Sequence, residues 1–184
     1  MDPLDLRQKN LIQPGDPWFG GGKVASNGLQ ECVDKARAAS DWDNRKSRTA
    51  PKGKRRGTGV ALAAHISGLL GTGAIIRVFE DGSVALNTGA VDIGQGSDTV
   101  LSQMCAEALK IPLEKVSLAS PDTDGSPYNW GTTASRVTYT TGRAVVGAAA
   151  EVEKQLKEHA AQMLECSEMD LELRTGGIVG VSGS

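Results

Sequence analysis

The residues best suited to chemistry lie between Asp92 and Leu109, where the chain reads DIGQGSDTVLSQMCAEAL. An apolar run from Val84 to Val91 ends in Gly94-Gln95-Gly96 and the polar Ser97-Asp98-Thr99. A helical pattern of Val100, Leu101, Met104, Cys105 and Leu109 follows. Glycines permit a sharp turn and close backbone approach to a ligand because they lack a Cβ. A helix that starts just beyond them offers orphan N–H groups and the positive end of its dipole, the ingredients of an anion site. Gln95 adds an amide that both donates and accepts. This arrangement suits a ligand carrying phosphate and polar ring edges. The same tripeptide also serves as a plain strand-to-helix turn. It is neither GxGxxG nor GxxxxGK[ST], so it makes no claim to a dinucleotide fingerprint or a P-loop.

A second segment, residues 120–147, reads SPDTDGSPYNWGTTASRVTYTTGRAVVG. Asp122-Thr123-Asp124-Gly125 and Ser126-Pro127 predict a turn-rich loop. Gly131-Thr132-Thr133-Ala134-Ser135-Arg136 then leads into a long apolar-periodic helix. Small residues leave room for a bulky ligand, while hydroxyls and a guanidinium donate to phosphate or polar ring atoms. An N-capping Thr or Ser with an ordinary surface arginine accounts for the same residues. Tyr128 and Trp130 either border a substrate funnel or pack the loop, and loop packing is the simpler reading.

Together the two segments resemble the molybdenum-binding subunit of the xanthine dehydrogenase and aldehyde oxidase family of molybdenum hydroxylases. The likeness is greatest to bacterial members with separate large, flavin and iron–sulfur subunits. It extends upstream, where Met1 to Arg7 and Lys9 to Ile12 resemble the helix linking that family's two cofactor-binding domains. Gly57-Thr58-Gly59-Val60-Ala61 resembles the opening strand of the later domain. The resemblance implies a molybdopterin cofactor, with the bacterial likeness favouring its cytosine dinucleotide form, and iron–sulfur clusters and FAD on partner subunits only. It implies that Gly94 and Gly96 admit the backbone, and that Gln95 and Ser97 hydrogen-bond the pterin dithiolene or phosphate. Thr132, Thr133 and Ala134 are expected nearest the metal, with Ser135 and Arg136 anchoring the pterin or phosphate end. No side chain is expected to ligate molybdenum. The reaction implied is oxidative hydroxylation of an aldehyde or N-heterocycle.

Two pieces of that family find no counterpart in the 184 residues. One is a Phe-Arg-Gly segment near the pterin and the other a Gly-Glu segment carrying the catalytic base. The chain is therefore expected to be a fragment, truncated at its C-terminus, with no catalytic residue of its own and no turnover alone. The expected partners are the remainder of the large subunit, the iron–sulfur and flavin subunits, and a small-molecule substrate. The alternative is a free-standing cofactor- or phosphate-ligand-binding or assembly module.

The elements that must position these residues follow from pattern. Asp2-Pro3 opens a short helix ended by Pro14-Gly15, and residues 16–27 form a loop around Gly20-Gly21-Gly22. Gly28 to Ala39 reads as a second helix, and Asp41 to Arg56 as a charged linker. Residues 1–56 then form a helical linker segment and 57–184 the cofactor-binding domain. Within the latter, strands over 60–66, 74–79, 84–91 and 115–119 accompany a helix over 97–110 and a long helix from about 132 to 164. Asp81-Gly82 marks a hairpin turn, and 171–173 with 178–181 a terminal hairpin. On the long helix Val145, Ala149, Val152, Leu156, Ala160 and Met163 form one apolar face. The fold class expected is α+β: a mixed sheet of short strands against one medium and one long helix, preceded by a small helical region.

Composition limits the partners. Lys and Arg number 20 against 22 Asp and Glu, a near balance that argues against nucleic acid despite the local run Lys52 to Arg56. Residues 57–76 contain no charged Asp, Glu, Lys or Arg, the length of a membrane span. Five glycines with Thr58, His65, Ser67 and Thr72 instead favour short strands. Cys32, Cys105 and Cys166 show no metal-ligand spacing, and their odd count fits a reduced, cytoplasmic setting.

Overall fold

The computed structural model describes residues 1–18, 21–65, 67, 68 and 70–181. It divides the chain into two compact units, Met1–Ala64 and His65–Ser184.

In the first unit, α1 spans Pro3–Lys9 and α2 spans Leu29–Ala39. Proline suits the first helical position because its missing N–H would be unsatisfied there anyway. Asp2 caps α1 by accepting from the Leu4 N–H at 2.8 Å. The helix ends earlier than expected, at an Asn10 cap, and Leu11 packs from outside it. The expected linker from Asp41 also proves partly folded. Trp42–Asn44 forms a 3-10 turn, and Trp42 joins Leu4 and Val33 in a small core. Trp42 Nε1 donates to Asp2 at 2.9 Å. Arg45 pairs with the same carboxylate, its guanidinium 3.9 Å above the Trp42 ring. The glycine-rich loop is described at Gly21 and Gly22 but not at Gly20, which lies outside the described residues.

The second unit is the expected α+β arrangement. Strands β1 (Ala74–Val78) and β2 (Val84–Thr88) pair antiparallel, with Val78 opposite Val84 across the Asp81-Gly82 turn. Gly82 takes φ +74°, and Asp81 accepts from the Ser83 N–H at 2.9 Å. Helix α3 (Ser97–Leu109) then returns the chain to β3 (Val116–Leu118), which pairs parallel to β2. The long helix α4 (Gly142–Leu164) is preceded by a π-turn over Val137–Thr141. Strands β4 (Leu171–Arg174) and β5 (Gly177–Gly180) form the terminal hairpin. The core gathers Val84 and Leu86 from β2, Leu101, Cys105 and Leu109 from α3, and Val145 and Ala149 from α4. Gly142 lets α3 approach, since a Cβ there would stand 2.6 Å from Met104 Cε.

Three expectations are corrected. No strand forms over residues 60–65, and Ile66 lies outside the described residues. The segment finds no neighbouring edge among the described residues to complete a ladder, and Ala61 to His65 are exposed. The long helix starts ten residues late, at Gly142 rather than near Thr132. Ala134 and Ser135 both sit at φ +47°, a left-handed conformation that a right-handed helix cannot include. The apolar face of α4 fades toward its end, where Met163 is 84% exposed. Among the described residues no helix is long and apolar enough to cross a membrane.

Candidate functional site

At the end of β2 the chain turns sharply before α3. Gly94 and Gly96 adopt φ +103° and +80°, which L side chains rarely take. A Cβ on either would meet no atom within 4 Å, so the turn faces open space. Asp92 organises it. Its carboxylate accepts from the N–H groups of Gly94 at 2.8 Å, Asp98 at 3.2 Å and Gly96 at 3.4 Å. The Gly94 N–H, then that of Asp98, hold the Asp92 carboxyl below the usual carboxylate range. Asp98 shifts the other way, raised by burial first and by the Asp92 charge second.

This changes the expected chemistry of the helix start. The anion at the positive end of α3 is the protein's own Asp92, so a ligand phosphate there would face a carboxylate. What the turn offers instead is neutral. Gln95 folds over its own loop, accepting from the Ile93 N–H at 2.7 Å and donating to Ser97 Oγ at 2.9 Å. The side chain is exposed yet held in one orientation, while Ser97 is buried at 3%.

The second segment comes to the same place. Thr132 Oγ1 donates to the Val91 carbonyl at 2.8 Å and accepts from the Val91 N–H at 3.0 Å. This two-way clasp sets the Gly131–Ser135 loop beside the Gly94–Ser97 turn. Gly131 takes φ +136° with open space at its Cα, and Thr133 and Ser135 are exposed. The left-handed Ala134 and Ser135 cost roughly 1–2 kcal/mol each, strain of the kind that collects at binding sites. A π-turn follows directly, another feature frequent at functional sites. In it Thr140 Oγ1 is buried with no hydrogen-bond partner among the described residues.

Arg136 departs from its expected position as an anchor exposed to a ligand. It is fully buried, and its Nη1 donates to Asn129 Oδ1 at 3.1 Å and the Gly131 carbonyl at 3.0 Å. Its Nη2 donates to the carbonyls of Leu70 and Gly71, each at 3.0 Å. Of Tyr128 and Trp130, the tryptophan does pack the loop, its ring centroid 5.8 Å from the Arg136 guanidinium. They are 67% and 43% exposed, and Tyr128 lines a 340 Å³ cleft with Val91 and Asn129.

Sequence reasoning missed Asp92, Asn129 and Gly89. The first two each precede a glycine by two residues, the spacing at which an Asx side chain caps a turn. Asn129 Oδ1 accordingly accepts from the Gly131 N–H at 2.7 Å. Nothing local marks Gly89, where a Cβ would lie 2.6 Å from the Pro127 carbonyl oxygen.

A sequence model of the molybdopterin cofactor-binding domain matches residues 35–183, most of the chain and all of this site. The chain belongs to that family. The xanthine dehydrogenase molybdenum-binding subunit of Escherichia coli O157:H7 is 37% identical over 97% of this chain, which spans 25% of that protein. The crystal structure of a copper–molybdenum carbon monoxide dehydrogenase superposes with a TM-score of 0.68 at 30% identity, over 99% of this chain and 26% of its own. The aldehyde oxidoreductase from Desulfovibrio gigas gives 0.67 at 25% identity, over 91% of this chain and 20% of its own. The chain thus spans about a quarter of the length of the curated relatives it matches. The resemblance expected from the two glycine-bearing segments holds.

The residues present fit a molybdopterin. The glycine Cα atoms leave a cradle open to a flat ring, Gln95 presents a fixed amide, and the exposed Thr133 and Ser135 carry hydroxyls.

Proposed function

We propose that this chain supplies part of the molybdopterin-binding site of a molybdenum hydroxylase acting on an aldehyde or N-heterocycle. The observation that carries the reading is the Thr132–Val91 clasp, which brings two sequence-distant, glycine-bearing turns into one open cradle. Gly94 and Gly96 admit the cofactor, Gln95 presents its amide to the ring edges, and the buried Ser97 holds that amide in place. Thr132, Thr133 and Ala134 form the small-residue wall nearest the metal, and Ser135 offers a hydroxyl to the pterin or phosphate end. Arg136 serves the site through the loop it holds. When bound, the cofactor supplies two-electron oxidation of carbon with a water-derived oxygen.

Residues 57–184 are assigned as the cofactor-binding domain, with no catalytic side chain among them. Turnover is assigned to the assembled protein: the remainder of the large subunit with iron–sulfur and flavin subunits, in a cytoplasmic setting. A cytosine dinucleotide form of the cofactor places its phosphates away from the start of α3, because Asp92 fills that position. The same carboxylate weakens the alternative of a small phosphate-ligand module.

Gln95→Ala in the assembled enzyme tests the reading. The exposed side chain gives up its bonds to the Ile93 N–H and to buried Ser97, so stability should fall by about 1 kcal/mol, while molybdenum and pterin per chain fall further. Equal molybdenum occupancy in variant and parent refutes the role.

A further inference from the structure

We propose that Arg136 and Asn129 form a buried positioning clamp that sets the left-handed Ala134–Ser135 turn, and through it the wall of the cradle, without touching the ligand. This rests on the cofactor reading of the same turn. The guanidinium is planar with donors in a fixed fork, a shape suited to fixing several acceptors at once. Nη1 reaches within the loop, to Asn129 and Gly131, while Nη2 reaches across to the Leu70 and Gly71 carbonyls some 65 residues earlier in the chain. The guanidinium therefore joins the loop to a segment that is itself constrained, since Leu70 lies at φ +55°.

Asn129 completes the clamp by using both ends of its amide. Oδ1 accepts from Arg136 and from the Gly131 N–H, which fixes the entry to the strained turn. Nδ2 donates to Thr72 Oγ1 at 2.8 Å and Thr141 Oγ1 at 3.3 Å, tying the loop to the strand approach on one side and the π-turn on the other. On the far side of the turn the Ala134 carbonyl accepts from the Gly68 N–H at 3.1 Å. A left-handed pair of non-glycine residues persists only where its surroundings over-determine it. The clamp is what over-determines Ala134 and Ser135.

Two variants and two readouts test it. In Arg136→Lys a compact ammonium replaces the fork and cannot serve both the loop and the Leu70–Gly71 carbonyls. Asn129→Asp keeps the acceptor for Arg136 and Gly131 but loses the donations to Thr72 and Thr141. The first readout is amide exchange at Gly68 and Gly131 in the 184-residue chain, referred to Leu101 and Cys105 in α3. The second is molybdenum and pterin retained by the assembled protein. Arg136→Lys should speed exchange at Gly68 and Gly131 and lower retention, each by roughly ten- to hundredfold, the effect expected when a hydrogen bond from a charged donor is lost. Asn129→Asp should do so more weakly, and α3 should be unaffected in both. Lowered retention with unchanged exchange would make Arg136 a direct ligand contact and overturn the clamp. Faster exchange throughout α3 would reduce it to general core packing and overturn it equally. If the parent assembly retains no pterin, the cofactor reading fails, and the exchange result alone judges the clamp.

Discussion

The same substitution, glycine to alanine, should act with opposite sign at two positions. Gly89 follows β2, and an added Cβ there would lie 2.6 Å from the Pro127 carbonyl oxygen and 2.8 Å from Asn129 Cβ. The first of these is backbone, so relief requires the whole 127–129 segment to move. Overpacking of this kind costs about 1–3 kcal/mol, against a gain of about 0.4–1 kcal/mol from a less flexible unfolded chain. The midpoints leave a net loss of about 1.3 kcal/mol, or roughly 3–5 °C in melting temperature at this size. Gly147 lies exposed within α4, and a Cβ added there would meet nothing within 4 Å. Alanine there should gain about 1 kcal/mol in helix propensity and raise the melting temperature by roughly 2–4 °C. Thermal and urea unfolding of the 184-residue chain by circular dichroism measures both. A Gly89→Ala chain as stable as the parent, or shifts of the same sign at the two sites, would refute the close-approach argument.

Two further outcomes concern titrating groups. Burial acts to raise the Asp2 carboxyl, but hydrogen bonds from Trp42 and the Leu4 N–H, with the Arg45 guanidinium, outweigh it and hold the group well below its ordinary 3.8. A depressed folded value means that its stabilisation is fully present above pH 3.8 and is lost as pH falls toward the folded value. Asp2→Asn should therefore lower stability at neutral pH and flatten its acid dependence below pH 3.8, as read from melting temperatures across that range. An unchanged acid limb would count against it. Burial also pushes the Cys105 thiol up to about 11, while Cys32 and Cys166 are exposed. A thiol reagent at mildly alkaline pH should label Cys32 and Cys166 quickly and Cys105 only after denaturation, and rapid native labelling of Cys105 would contradict its packing.

Much of this protein was legible because it is written locally. The Asp81-Gly82 hairpin, the helix after Gly96 and the α4 face through Val145, Ala149 and Val152 depend on period and turn chemistry, which a short window of residues contains. The paired glycines of the turn before α3 were readable for the same reason, since positive φ is a property of single residues. The family likeness rests on those same two segments.

Other features required partners that no local window holds. Residues 60–65 have the composition of a strand, yet a strand needs a neighbouring edge, and the fold brings none among the described residues. Asp92 is an exception, since its donors at Gly94, Gly96 and Asp98 lie nearby in the chain and its spacing before Gly94 is a local signal; in the folded turn they convert an expected anion site into a filled one. Arg136 looked like a surface donor because arginine is seldom buried. Its burial depends on carbonyls at Leu70 and Gly71, whose approach is fixed by how the loop packs. The sequence by itself determined which residues can turn, cap and hydrogen-bond, because those capacities belong to side chains and to φ. The tertiary structure alone decided which of them remain open to a ligand, because that depends on what packing across tens of residues has already satisfied.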